Sequence, residues 1–142
     1  MQSGRWAAPA ERRHVGELRR QVTSFASSAG MSDDGLAELQ VALSEALSNV
    51  VLHAYRDRDF AGDVQVNAEV TGSELCVRVR DYGAGLAARS DSPGMGLGLS
   101  IIARLSKRSS VHRCVGGGTE VGMRFDLARD AAPHANAGTA LQ

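Results

Sequence analysis

Leu43-Ser44-Glu45-Ala46-Leu47-Ser48-Asn49-Val50-Val51-Leu52-His53-Ala54-Tyr55 sets a polar stripe beside a helical apolar one. Leu36, Leu39, Leu43, Leu47, Val50, Val51 and Ala54 recur at three- and four-residue steps, which predicts a helix running through Tyr55 with that stripe in the core. Ser32 is placed to cap it, and Asp33 and Asp34 put negative charge in the first turn, where it offsets the helix dipole. Glu45, Asn49 and His53 are four apart and fall on one helix face, one turn above the next. A carboxylate, a carboxamide and an imidazole in register can supply a base for a nucleophile's proton, an oxygen ligand for Mg²⁺ and a group near phosphates. The same spacing also describes a solvated helix face.

Upstream, Val15, Leu18, Val22, Phe25 and Ala26 mark an amphipathic helix within Pro9 to Ala29 that stops at Gly30, and Gly4 to Ala8, with Trp6, suits a short edge strand. Downstream, Val64 to Val70 and Leu75 to Arg80 alternate as strands joined by Thr71-Gly72-Ser73-Glu74, which is hairpin grammar. Leu97, Ile101, Ile102 and Leu105 mark a third helix, and Val111 to Val115 and Val121 to Leu127 a second hairpin around Gly116-Gly117-Gly118. The order helix, helix, hairpin, glycine loop, helix, hairpin predicts an α+β fold. Its form is a two-layer α/β sandwich, with helices on one face of a mostly antiparallel mixed sheet. Residues 1–127 are expected to form one domain and the Ala-rich stretch 128–142 a disordered tail without chemistry.

Two glycine segments follow the first hairpin. The strand Leu75 to Arg80 ends at Asp81-Tyr82-Gly83-Ala84-Gly85, so a carboxylate stands at a strand end with permissive backbone beyond it. A buried aspartate can accept a hydrogen bond from an exocyclic amino group and so tell adenine from guanine; an ordinary Asp-x-Gly turn reads the same way. Gly94-Met95-Gly96-Leu97-Gly98 leads into the third helix, whose unpaired N-terminal amides would suit a phosphate, although loop glycines also cluster there. The glycine spacing does not fit a dinucleotide fingerprint, and no Gly-Lys-Ser/Thr follows to make a phosphate loop of the Walker type.

Lys plus Arg and Asp plus Glu number 16 each, so no overall charge draws the chain to nucleic acid or anionic lipid. Cys76 and Cys114 sit in apolar strand-like runs without metal-ligand spacing and read as buried thiols. With no leader and no apolar run near the ~20 residues that span a bilayer, a cytoplasmic protein is expected, with neither membrane nor direct nucleic-acid contact.

In sequence order, Glu45-x-x-x-Asn49-x-x-x-His53-Ala54-Tyr55, Asp81-x-Gly83-x-Gly85, Gly94-x-Gly96-x-Gly98 and Gly118-Thr119 resemble the boxes of the superfamily that unites gyrase-type ATPases, MutL and histidine kinases. Leu43 to Asn49 and His53-Ala54-Tyr55 are most similar to the bacterial anti-sigma-factor serine kinases. The resemblance covers about residues 5–127.

It implies an ATP-Mg site in which Glu45 is the general base, Asn49 the Mg²⁺ ligand and Asp81 the reader of the adenine amino group. Gly83 and Gly85 would shape the adenine pocket, Gly94, Gly96 and Gly98 the phosphate segment, and Thr119 would support Asp81. It further implies a sigma factor and an anti-anti-sigma protein as partners, the latter phosphorylated on serine, and the homodimer that many members of the family form. The segment Leu86 to Pro93, eight residues with Arg89 as its one cation, is shorter than the lid of many relatives. That favours, as an alternative, a non-catalytic ATP-binding switch. A histidine-kinase fragment would need an upstream helix pair with a phosphoacceptor histidine, whereas His14 lies on a short helix; a gyrase- or MutL-like ATPase would need a transducer domain.

Overall fold

The computed structural model describes residues 2–55, 62–83 and 95–127. The expected tail, 128–142, lies outside them, as do Gly85, Gly94 and the short segment with Arg89. The elements are β1 (Ser3–Pro9), α1 (Arg12–Ser28), α2 (Asp33–Asn49), a π-helical turn (Val50–Ala54), β2 (Asp63–Thr71), β3 (Glu74–Asp81), α3 (Met95–Leu105), β4 (Arg108–Arg113) and β5 (Thr119–Asp126). The strands form one sheet in the order β1-β2-β3-β5-β4, and every pairing among the described residues is antiparallel. The helices cover one face, giving the two-layer α+β sandwich.

Local chemistry accounts for the boundaries. The Ser32 hydroxyl accepts the Gly35 amide at 3.0 Å and caps α2 above Asp33 and Asp34. Gly30 takes a φ of 100°, a left-handed conformation that ends the α1 segment at little steric cost. In the β2–β3 hairpin Thr71 pairs with Glu74, and positive φ is confined to Gly72, the pattern of a type II′ turn.

Strand alternation then builds the core. Val64, Val66 and Ala68 of β2, Leu75, Val77 and Val79 of β3, and Val121, Met123 and Phe125 of β5 are buried under Leu18, Val22 and Ala26 of α1 and Leu39, Leu43 and Leu47 of α2. Burying each of the α2 leucines contributes on the order of 2 kcal/mol. Trp6 of β1 meets Phe25 of α1 edge to face, with ring centroids 5.8 Å apart, and anchors the edge strand to the helix layer.

Several boundaries differ from the sequence reading. The α-helix ends at Asn49, and a wider π turn takes the chain to Tyr55. Strand β4 pairs Arg108–Arg113 with Thr119–Arg124, upstream of the expected Val111 to Val115. It is an exposed edge strand, so backbone pairing rather than apolar burial sets its register, and Val115 is left fully exposed. Cys114 falls in the hairpin turn and is half-buried, while Cys76 is buried within β3. Leu97, one of the apolar residues that mark α3 in the sequence, is 68% exposed; the buried face is Gly98, Ile102 and Ser106, which face inward at four-residue steps.

Candidate functional site

Leu75, Val77, Val79 and Asp81 share one parity of β3, so the alternation that buries three apolar side chains also turns the Asp81 carboxylate toward the helix layer. Asp81 is 5% exposed. Its Oδ1 accepts the Gly83 amide at 2.9 Å, and the backbone N–H of Thr119 donates to the same carboxylate. Thr119 is buried at the start of β5, directly beyond the Arg80–Glu120 pair of the β3–β5 ladder. Burial pushes the Asp81 carboxyl above the usual aspartate range, against the opposing pull of the two amides and of the Arg80 charge.

Close backbone contacts fix this strand end. A Cβ on Gly83 would run into the carbonyl of Ala54, in the π turn, and one on Gly118 into the carbonyl of Asp81. Gly118 also has a φ of 89°. Both positions therefore demand glycine for packing reasons internal to the fold, beyond any approach of a ligand. Arg80 ties the strand end to the last hairpin through the Gly117 carbonyl at 3.1 Å and lies over the Tyr82 ring at 4.5 Å.

Glu45 and Asn49 face α3 at Gly98. A Cβ there would come within 3.0 Å of Glu45 Oε1 and 3.4 and 3.5 Å of the Asn49 Oδ1 and Nδ2. Glu45 is half-buried; Asn49 is buried, and its Nδ2 finds no hydrogen-bond partner among the described residues. An orphaned buried carboxamide is costly unless something else engages it. Gly96 and Gly98 belong to the opening turns of α3 rather than to a preceding loop. His53 is buried in the π turn, so its relation to Glu45 and Asn49 is not that of a continuous α-helix. Gly85 and Gly94 lie outside the described residues.

The sequence reading missed the collisions that make Gly83 and Gly118 obligatory, and the Tyr55 hydroxyl, which bonds the main chain of Asp63 and Tyr82. A buried tyrosine just beyond a helix end is the one signal that pointed to the latter, because its hydroxyl must find polar partners.

The sequence profile of the histidine kinase-like ATPase domain matches residues 8–125. The chain belongs to this family. Among curated relatives it is 35% identical over 89 residues to the serine-protein kinase RsbW of Bacillus licheniformis, covering 63% of this chain and 55% of the relative. It is 40% identical over 75 residues to RsbW of Bacillus velezensis, covering 53% of this chain and 46% of that one. The chain thus spans about half the length of the curated relatives it matches.

Solved structures show the same family fold. The RsbU and RsbW domains of a Mycobacterium tuberculosis protein superpose with a TM-score of 0.70 at 20% identity, over 89% of this chain and 32% of that one. The histidine kinase domain of a blue-light activated histidine kinase from Erythrobacter litoralis gives 0.60 at 24% identity, over 90% of this chain and 65% of that one. Glu45, Asn49 and Gly98 stand together where α2 meets α3, and Asp81 stands at the end of β3, where Gly83 packs against Ala54 of the π turn that follows α2. No described helix is long and apolar enough to cross a membrane.

Proposed function

We propose that this chain binds ATP with Mg²⁺ and transfers the γ-phosphoryl group to a serine hydroxyl of a protein partner. The observation that supports this most is the meeting of α2 and α3 at Gly98, which sets a carboxylate and a buried carboxamide, its Nδ2 donor without a partner among the described residues, against the opening turns of a helix. Helix N-terminal amides favour phosphate, and a glycine at the contact leaves room that a side chain would fill.

The donor set suits a magnesium nucleotide. Mg²⁺ would be held by the Asn49 side-chain oxygen together with phosphate oxygens of the nucleotide, since this hard cation takes oxygen ligands and shares them with substrate phosphates. When bound, Mg²⁺ supplies charge neutralisation as phosphoryl transfer proceeds. Asp81, aimed by the Gly83 and Thr119 amides, accepts from the adenine amino group, with Gly83 and Gly85 beside the ring and Gly94, Gly96 and Gly98 beside the phosphates. Glu45 takes the proton of the attacking serine hydroxyl.

Residues 1–127 form the ATP-binding domain in this account. The partners are a sigma factor, which the chain sequesters, and an anti-anti-sigma protein that carries the acceptor serine; the serine-protein kinase names of the relatives support the transfer step. The eight-residue segment Leu86 to Pro93 favours the second reading, a nucleotide-gated binding module without turnover. Glu45→Gln separates the two. Label from γ-labelled ATP should reach a serine-bearing partner with the wild-type chain and fall by at least about 10²-fold with the variant, at similar ATP affinity. Absence of transfer from the wild-type chain would leave the binding module.

A further inference from the structure

The π-helical turn that follows Asn49 delivers Tyr55, 7% exposed, to the ends of β2 and β3. Its hydroxyl donates to the carbonyl of Asp63, the first residue of β2, at 2.7 Å. It accepts from the backbone N–H of Tyr82, the residue after Asp81, at 2.8 Å. The preceding carbonyl, that of Ala54, fills the space beside Gly83. The β2–β3 ladder stops at the Val64–Asp81 pair, so beyond it the main chain of residues 82 and 83 meets the π turn, through the Tyr55 hydroxyl and the Ala54 carbonyl, in place of a ladder partner on β2.

We propose that Tyr55 is a positioning residue for base recognition, locking the strand end that carries Asp81 to the helix that carries Glu45 and Asn49. The proposal rests on the ATP-binding reading above. The Gly83 amide aims the Asp81 carboxylate, and Gly83 stands one residue beyond the amide that the Tyr55 hydroxyl holds. The phenol is a spacer of fixed length with one donor and one acceptor function, both engaged. Gly62 packs so closely that a Cβ there would approach the Tyr55 ring to 2.5 Å, which holds the ring in this orientation. Without the hydroxyl, the Tyr82 amide and the Asp63 carbonyl lose their partner, and the carboxylate that distinguishes an amino group from a carbonyl on the purine is no longer aimed.

Tyr55→Phe tests this by calorimetric titration of the full chain with ATP and GTP, beside a thermal melt without nucleotide. The expected result is a folded variant whose ATP affinity and ATP-over-GTP preference both fall about tenfold, since of the two hydrogen bonds lost only the one from the Tyr82 amide bears on the aim of Asp81. A purely structural role would lower the melting temperature and leave the preference unchanged in the folded chain, which would overturn the proposal alone. A wild-type chain that binds no adenine nucleotide would overturn the ATP-binding reading and this proposal with it. Amide exchange of the wild-type chain carries the test if the variant does not fold. Slow exchange of the Tyr82 amide before nucleotide is added supports the proposal, and fast exchange overturns it.

Discussion

Gly98→Ala adds one methyl group where α2 meets α3, and fold and site should respond in opposite directions. In a helix the change gains about 0.8–1.0 kcal/mol of backbone propensity, which for a chain of this size raises the melting temperature by a few degrees. The new Cβ would stand 3.0 Å from Glu45 Oε1, where ordinary contact begins at 3.4 Å, so the carboxylate must give way by about 0.4 Å. Glu45 is half-buried with its carboxylate at the end of a flexible side chain, so the fold can absorb that shift cheaply. The site cannot, if Glu45 is the base. On the rule that a displacement of ~1 Å costs ~10²-fold, 0.4 Å corresponds to about sixfold in transfer rate. The assay pairs a thermal melt with single-turnover phosphoryl transfer at saturating ATP. A variant at least as stable as wild type with transfer reduced about sixfold or more is expected; full transfer activity would refute the placement of Glu45 against α3 as the catalytic geometry.

Asn49→Ala should reduce nucleotide affinity in the presence of Mg²⁺ to the value measured without it, at a stability cost of no more than about 1 kcal/mol, because the Asn49 Nδ2 already lacks a protein partner; calorimetry with and without Mg²⁺ reads both values. Asp81→Asn should change the pH dependence of stability. Burial raises the Asp81 carboxyl, so between the ordinary aspartate value and the raised one the folded chain binds more protons than the unfolded chain. Wild-type stability therefore falls relative to the variant as pH rises through that window, and the difference stays constant above it. Denaturant midpoints across the acid range measure this, and a relative stability that is flat or opposite in sign would count against a buried, burial-shifted Asp81. The same variant should lose the preference for ATP over GTP.

Much of the architecture was legible because periodicity and burial agree. The Ser32 cap, the Gly72 hairpin and the alternation that turns Asp81 inward with Leu75, Val77 and Val79 all follow from local rules. The features that escaped are tertiary. The apolar stripe runs on past Asn49, so nothing in the pattern separates an α-helix from the π turn that brings Ala54 and Tyr55 against β3. Strand β4 is an exposed edge whose register comes from pairing with β5. Leu97 marked α3 by its spacing, yet it faces solvent, and the neighbouring Gly98 is the position that meets Glu45 and Asn49. At the site, residue types and order were visible; the glycines required by Ala54 and Asp81 carbonyls were not, since those collisions exist only once the chain is folded.

An adenine-selective magnesium nucleotide site formed by Asp81 and Asn49 can be read in a single experiment, calorimetric titration of the wild-type chain with ATP and with GTP, each with and without Mg²⁺. Binding of ATP that strengthens with Mg²⁺ and exceeds that of GTP is the predicted result. No binding, or equal binding of both nucleotides regardless of Mg²⁺, would contradict it.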